Sequence, residues 1–288
     1  MTNDWLKPQI DAGLVARLVA SHFPDWRNLS VSAVSEDGWD NSTWRLGDRL
    51  SVRLPSHARY ASQVDKEHTW LPRLAPHLPL TIPVPVERGE PDEGYPLPWS
   101  VYRWIEGEPA TRARIGDPAA FGAALGGFLM ALWAIDTDGG PPAGAHNFYR
   151  GGDLSVYDDE ARGAIDKNMG RIDTDGATGV WERALGCHWT RSPVWVHGDL
   201  AAGNLLVQDG KLVAVIDFGC CGIGDPACDL VIAWTLLSGD SSRAFVDTVA
   251  IDEDTWARAR GWALWKALIS LDKDAQASRV IETVISTA

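Results

Sequence analysis

Cysteine is scarce: there are four in 288 residues, Cys187, Cys220, Cys221 and Cys228, with no CxxC pair and no His at zinc-site spacing. That excludes a disulfide framework and a zinc-ribbon core, and the thiols read as reduced packing residues. Basic residues are few beside acidic ones, 26 Lys and Arg against 39 Asp and Glu, for a net charge of −13. Phosphate-backbone partners need a basic face, so no nucleic-acid partner is expected. No apolar run approaches the ~20 residues of a membrane span, so no membrane association is expected either. The opening Met1-Thr2-Asn3-Asp4-Trp5 has neither a basic region nor an apolar core, which argues against a signal peptide and for a cytoplasmic protein. Met, Tyr and Phe are sparse at 3, 5 and 6, but Trp reaches 15. Most such rings belong in cores and interfaces. The length suffices for one large core or two smaller ones, and the oligomeric state stays open.

What is present concentrates in residues 194–230, VWVHGDLAAGNLLVQDGKLVAVIDFGCCGIGDPACDL. Asp199 precedes Asn204 by five residues, and Asp217 follows thirteen later in Asp217-Phe218-Gly219. Val194-Trp195-Val196, Leu205-Leu206-Val207 and the run from Leu212 to Ile216 read as short buried strands, with Asp209-Gly210 as a type I′ turn between the last two. The polar residues therefore fall at strand ends and loops. Protein kinases order a base Asp, a metal-binding Asn and a metal-binding Asp in this way. Phosphoryl transfer needs little covalent chemistry from the protein: it needs Mg²⁺ held against phosphates and an acceptor beside the incoming hydroxyl. A carboxylate and an amide are suitable hard oxygen ligands for Mg²⁺.

Three runs, His197-Gly198-Asp199-Leu200-Ala201-Ala202-Gly203-Asn204, Ile216-Asp217-Phe218-Gly219 and Gly224-Asp225-Pro226-Ala227-Cys228-Asp229-Leu230, resemble the aminoglycoside phosphotransferase family of small-molecule kinases. Gly198 stands where protein kinases carry the Arg of HRD, and no Ala-Pro-Glu follows, so a protein kinase proper is disfavoured. The resemblance implies that Asp199 is catalytic, accepting or orienting the hydroxyl proton, and that Asn204 and Asp217 hold Mg²⁺. It also implies that Asp225 braces the catalytic loop, with Asp229 structural. His197 is expected to orient that loop by hydrogen bonding.

Upstream, Ser35-Glu36-Asp37-Gly38-Trp39-Asp40-Asn41-Ser42-Thr43-Trp44-Arg45-Leu46 resembles the family's loop over the nucleotide phosphates, which would bring Ser42 to the nucleotide; read alone it is equally an Asx-rich hairpin turn. The run from Leu50 to Pro55 alternates as a strand, with Arg53 on the face opposite Val52. By resemblance Arg53 takes the place of the more common Lys that binds phosphates; otherwise it is a solvent-facing Arg. Residues 58–74 carry Val64, Trp70, Leu71 and Leu74 at helical spacing. Glu67 on that helix would, by resemblance, pair with Arg53, the alternative being a solvated carboxylate beside Lys66. Strands at 82–86 and 99–105 complete five, the first an edge strand because of its prolines. Residues 102–108 would form the hinge that reads the purine edge of ATP or GTP, with Trp104 near the base.

From Pro118 onward helical spacing dominates, with candidate helices at residues 119–135, 155–169, 177–188, 226–237, 242–250, 254–271 and 275–287. The expected fold is α+β and two-lobed, protein-kinase-like. A nucleotide-binding lobe, residues 1–105, holds the five-stranded antiparallel sheet and a helix; a mainly helical catalytic and acceptor-binding lobe spans residues 106–288. The expected reaction moves the γ-phosphate of ATP or GTP to a hydroxyl of a small molecule. The acceptor is an antibiotic such as an aminoglycoside, with a macrolide or nucleoside antibiotic, or a metabolite such as choline, homoserine or a sugar, as alternatives. A non-catalytic nucleotide-binding protein is the minor alternative. The acidic balance suits a cationic acceptor, for which Asp158, Asp159 and Trp234 are candidate contacts; equally, acidic clusters serve solubility and helix N-termini.

Overall fold

The computed structural model describes residues 6–34 and 38–287. The chain divides into two compact units, one of Met1–Pro76 with Thr81–Glu106 and one of His77–Leu80 with Gly107–Ala288. Among the described residues no helix is long and apolar enough to cross a membrane.

The first unit contains helix α1 (Ala12–His22), strands β1 (Val31–Ala33), β2 (Asn41–Leu46) and β3 (Leu50–Pro55), helix α2 (Ala61–Leu74), and strands β4 (Pro85–Gly89) and β5 (Trp99–Arg103). The strands form the expected five-stranded antiparallel sheet in the order β1-β2-β3-β5-β4. Strict alternation gives it two faces. Val52, Leu54 and Val101 join Leu14, Val15, Leu18 and Val19 of α1 in one apolar core. Arg53, Ser100 and Tyr102 fall in the alternate positions, where Tyr102 and Arg53 meet Glu67 of α2. Helix α1 has a local signature of its own: Asp11 caps it by accepting from the Leu14 amide at 2.7 Å, and its apolar residues recur at i, i+3 and i+4.

Two expectations shift. The segment 35–46 is not one phosphate loop: from Asn41 it is β2, paired residue for residue with β3 from Asn41↔Pro55 to Leu46↔Leu50. The connection between the first two strands therefore ends before Asn41, and the turn around Gly47 belongs to the next pair, β2 and β3. Ser35, Glu36 and Asp37 lie outside the described residues. The edge strand begins at Pro85, not Ile82, because Pro83 and Pro85 supply no N–H to a ladder.

The second unit holds β6 (Glu108–Pro109), α3 (Pro118–Trp133), α4 (Asp158–Lys167), α5 (Thr174–Leu185), β7 (Val194–Val196), β8 (Leu205–Gln208), β9 (Lys211–Val215), β10 (Gly222–Gly224), α6 (Ile232–Thr235), α7 (Asp240–Val249), α8 (Glu253–Ser270) and α9 (Ala277–Ser286). Two small sheets, β6-β8-β9 and β10-β7, sit among the helices. Asp209 and Gly210 both have positive φ, at 51° and 77°, as the β8–β9 turn requires. The single helix expected over 226–237 is instead a 3₁₀ stretch, Pro226–Val231, followed by the one-turn α6. Asp225 opens it by accepting from the Ala227 amide at 3.1 Å, and the tight turn carries Asp229 to full burial.

Candidate functional site

Strand β7 runs into the loop 197–204, and the side chains beneath that loop hold it at several points. Fully buried His197 approaches the Ile216 carbonyl through Nε2 at 3.0 Å and receives the Asp199 amide at Nδ1 at 3.2 Å. A carbonyl needs a donor and an amide an acceptor, so the ring is neutral with its proton on Nε2. Its edge meets Phe218 at 4.6 Å between centroids. Asp229 accepts from two successive amides, His197 N at 2.9 Å and Gly198 N at 2.7 Å. Burial pushes the Asp229 pKa up, and the hydrogen bonds from the two amides pull the other way without cancelling it.

The loop-bracing role expected of Asp225 therefore falls to Asp229. Asp225 is engaged elsewhere, in a bidentate pair with Arg258 at 2.6 and 3.1 Å. The two carboxylates lie four residues apart on a 3₁₀ turn, and only the second is carried under the loop amides.

Gly198 has φ +84°, and a Cβ there would lie 2.5 Å from the Cys220 carbonyl oxygen. No side chain fits, which explains physically why the Arg of the protein-kinase motif is missing. Gly198→Ala is expected to lower stability by roughly 1–3 kcal/mol and to displace Asp199. Thermal unfolding together with kcat would check this; an unchanged melting temperature would contradict it.

Asp199, Asn204 and Asp217 come together through the backbone. The Asn204 Nδ2 donates to the Asp199 carbonyl at 2.9 Å, and the Asn204 carbonyl accepts from Ile216 N at 2.8 Å, one residue before Asp217. Asp217 is held at φ 68°, ψ 69°, a left-handed conformation uncommon outside Gly, Asn and Asp. Its side chain does not cap the turn it opens. Among the described residues no group of three or more His, Cys, Asp or Glu gathers as a metal site.

Sequence reasoning missed the partner of Asp199. Lys266 of α8 places its Nζ 2.6 Å from Asp199 Oδ1. Arg150 is close by: a Cβ on Gly198 would lie 3.0 Å from the Arg150 Cβ. Its guanidinium stacks on Trp265 and Trp262, 4.7 and 5.2 Å from their centroids. Burial would raise the Asp199 pKa, but Lys266 above all, with help from Arg150, holds it below the ordinary carboxylate value.

A depressed pKa means that the charged form and the stability it contributes are present above the unfolded-state pKa, and are lost as pH falls through the folded one. Lys266→Met removes the main opposing charge and leaves the desolvation. The Asp199 pKa should then rise, and the acid limb of kcat/KM should move to higher pH than in the unmodified protein. Coincident acid limbs in paired pH–rate profiles would mean that Lys266 does not set this titration.

In the first unit, Glu67 is only 4% exposed. It accepts from the Tyr102 hydroxyl and lies 3.8 Å from Arg53 Nη1. Burial first, and then the Glu67 charge, push the Tyr102 pKa up. The solvated alternatives for Arg53 and Glu67 are thereby ruled out. Ser42 is a buried β2 residue whose Oγ accepts from Trp44 Nε1 at 2.9 Å, so it is not on a loop. Tyr102, expected to start a hinge, is a buried residue of β5. Trp104 follows β5, with the Arg45 guanidinium 4.3 Å from its ring centroid. Its buried Nε1 has no hydrogen-bond partner among the described residues.

The three candidate acceptor contacts are placed differently. Asp158 receives Arg162 at 2.8 Å and Trp181 Nε1 at 2.7 Å, at the start of α4. Asp159 is exposed on the same turn. Trp234 meets Trp256 edge to face at 5.7 Å and donates to Thr287 at 3.4 Å. A cavity of about 210 Å³ lies between Gly152, Leu154, Leu185, Trp189 and Arg258. Asp199, Asn204 and Asp217 do not line it, so the motif geometry, not this cavity, marks the candidate site.

Residues 31–262 match the Phosphotransferase enzyme family. A 45-residue stretch is 47% identical to an aminoglycoside 3'-phosphotransferase of Escherichia coli. That stretch spans 16% of this chain and only 17% of that relative. Among solved structures, the GDP complex of wild-type aminoglycoside 2'-phosphotransferase-IIIa is similar at TM-score 0.73 and 20% identity, covering 96% of this chain and 99% of that one. The GDP and kanamycin complex of APH(2″)-IIia is similar at TM-score 0.72 and 22% identity, covering 94% and 97%. The apoenzyme of macrolide 2'-phosphotransferase MphH from Brachybacterium faecium is similar at TM-score 0.59 and 20% identity, covering 96% and 98%. These likenesses establish the α+β, kinase-like fold.

Proposed function

Because the chain belongs to the phosphotransferase enzyme family, we propose that it transfers the γ-phosphate of ATP or GTP to a hydroxyl of a small molecule, with Mg²⁺ as cofactor. The observation that carries this reading is the link from the Asn204 amide to the Asp199 carbonyl and from the Asn204 carbonyl to Ile216 N, which gathers an acceptor carboxylate, an amide and a second carboxylate.

The residues fit a metal ion. Asn204 commits its Nδ2 to the chain and so offers Oδ1 as the ligand end, and Asp217 adds a carboxylate; Mg²⁺ takes one or two carboxylates and completes its shell with phosphate oxygens and water. When bound, Mg²⁺ neutralises charge on the phosphates. Asp199 orients the acceptor hydroxyl and takes its proton. The acceptor oxygen forms a bond to the γ-phosphorus as the bond from that phosphorus to the β–γ bridging oxygen breaks. A phosphate monoester and a nucleoside diphosphate result.

On the nucleotide side, Arg53 is the cation for the phosphates, held by buried Glu67. An Arg presents a planar fork where Lys would present a point charge. Trp104, with its unpartnered Nε1, is the candidate neighbour of the base. Both GDP and ATP complexes occur among the fold relatives, so either purine is a reasonable donor.

For the acceptor, kanamycin and gentamicin complexes among the fold relatives favour an aminoglycoside, and the MphH likeness favours a macrolide. The specific observation on the other side is the Lys266 cation on Asp199, which favours a metabolite acceptor over an amino sugar.

The test is nucleoside diphosphate release with Mg·ATP and with Mg·GTP, across aminoglycosides, macrolides, nucleosides and common hydroxylated metabolites. Acceptor-dependent release that disappears in Asp199→Asn is the expected result. A protein that binds neither nucleotide in the presence of Mg²⁺ would defeat the reading.

A further inference from the structure

The surroundings of Asp199 carry a charge pattern unsuited to a polycationic acceptor. Helix α8 presents Arg258, Trp262, Trp265 and Lys266 at i, i+4, i+7 and i+8, one face by helical geometry. Lys266 reaches Asp199, Arg258 reaches Asp225, and Arg150 lies on the two Trp rings. From Arg258 to Lys266 that face contributes two cations and no carboxylate, and Asp254, one turn earlier, is paired with Arg183.

Several carboxylates of the chain's acidic clusters, by contrast, are occupied, while Asp159 and Asp175 are exposed. Asp158 serves Arg162 and Trp181, and Glu160 accepts from Trp265 Nε1 at 2.8 Å. Asp252 caps α8 and receives Arg191, Glu253 receives Arg260, and Asp254 receives Arg183. Asp173 caps α5. These carboxylates are committed to caps and ion pairs, whatever the net charge of −13 suggests.

Arg150 and Arg260 each bury an Nε with no hydrogen-bond partner among the described residues, but Arg260 places its Nη1 on Glu253 at 2.9 Å, whereas Arg150 lies on the Trp rings beside Asp199. A buried donor left without a partner is costly, and on a guanidinium it is best satisfied by an anion in its plane. Lys266 makes the direct contact with Asp199 and Arg258 the one with Asp225, so among these three cations Arg150 is the one whose Nε a ligand can satisfy.

We propose that the acceptor is a hydroxylated anion, a hydroxy acid in the chemical sense, whose carboxylate is held by Arg150 while its hydroxyl meets Asp199 beside Lys266. This inference rests on the phosphotransferase reading above and narrows its substrate class. A carboxylate next to the hydroxyl gains a charge-assisted bond to Arg150. An ammonium in the same place faces Arg150 and Lys266 together, and like charges brought so close in a partly desolvated site repel strongly. Arg150 acts here as a specificity determinant, outside the proton transfer itself.

The experiment compares matched acceptors with the full-length protein and Mg·ATP or Mg·GTP. Glycerate, pantothenate and shikimate are the anionic members, glycerol and panthenol the neutral counterparts, and choline and kanamycin the cationic ones. At least one hydroxy acid is expected to turn over with kcat/KM at least about 10-fold above its neutral counterpart and above both cations, as one charge-assisted bond supplies. Arg150→Gln should raise the KM for that hydroxy acid about 10-fold with kcat within a few-fold, and Arg150→Lys should restore part of it; a merely structural Arg150 would move melting temperature instead of this split.

Faster turnover of kanamycin or choline than of every hydroxy acid overturns the proposal, as does an unchanged acceptor KM in Arg150→Gln. So does failure of the whole anionic set in a protein that binds Mg·nucleotide. Loss of nucleotide binding in the unmodified protein is a different failure, and it removes the phosphotransferase reading itself.

Discussion

Asp199→Asn is expected to lower kcat by roughly 10²–10⁴-fold, the usual contribution of a positioned general base, while Mg·nucleotide binding stays within a few-fold of the unmodified protein. The substitution keeps the shape of the side chain and an oxygen that accepts from Lys266, so the 2.6 Å contact has a neutral replacement. It removes the charge that orients and accepts the hydroxyl proton. The loop itself should survive, because it is anchored by Asp229 on the His197 and Gly198 amides and by His197 on Ile216, not by the Asp199 carboxylate. Nucleoside diphosphate release measures the first quantity and calorimetric nucleotide titration the second. Turnover within 10-fold of the unmodified protein would remove Asp199 from the chemistry and leave it as the counter-ion of Lys266.

The largest stability effect is expected from Arg258→Met. Arg258 and Asp225 are 6% and 7% exposed and are joined bidentately, with Thr255 Oγ1 as a further acceptor for Arg258 at 3.1 Å. Removing the guanidinium leaves a buried carboxylate with no counter-charge, a change that typically costs about 3–5 kcal/mol. In a unit of this size that corresponds to a fall of roughly 6–20 °C in melting temperature. The pair's net value is much smaller than this penalty, because forming it already required desolvating both ions. The double variant Arg258→Met with Asp225→Asn should therefore regain most of the loss, since Asn keeps the cap on Ala227 and carries no charge. Equal melting temperatures for the single and double variants would show that lost packing of Arg258 dominates, including its position 5.5 Å from the Trp189 ring.

Local chemistry made much of this protein readable in advance. The alternation of β3 and β5, the Asp209-Gly210 turn, the strands of 194–215 and the helices α3, α4, α5, α7, α8 and α9 follow from side-chain period and turn preference, which are properties of neighbouring residues. The spacing of Asp199, Asn204 and Asp217 was legible for the same reason: a five-residue loop and one hairpin are enough to bring them together. Gly198 was visible as a departure from the protein-kinase motif, though the reason, a carbonyl 2.5 Å from where its Cβ would lie, was not.

Other assignments depended on contacts between distant segments. Asp225 and Asp229 look alike in a row of letters, and only the inward turn of the 3₁₀ stretch puts the second under the loop amides and the first against a helix more than thirty residues on. Glu67 on α2 could have been solvated, and it becomes a buried partner of Tyr102 and Arg53 because the sheet covers that side of the helix. Composition suggested a surface ready for cations, yet caps and ion pairs take up several of those carboxylates. The charge at Asp199 is set instead by Lys266, 67 residues further along, and by Arg150. Spacing along the chain governs what neighbours do within a strand, turn or loop; which charge faces which is settled by how helices pack, because electrostatic interaction depends on distance through space and on burial, and neither is written in the order of residues.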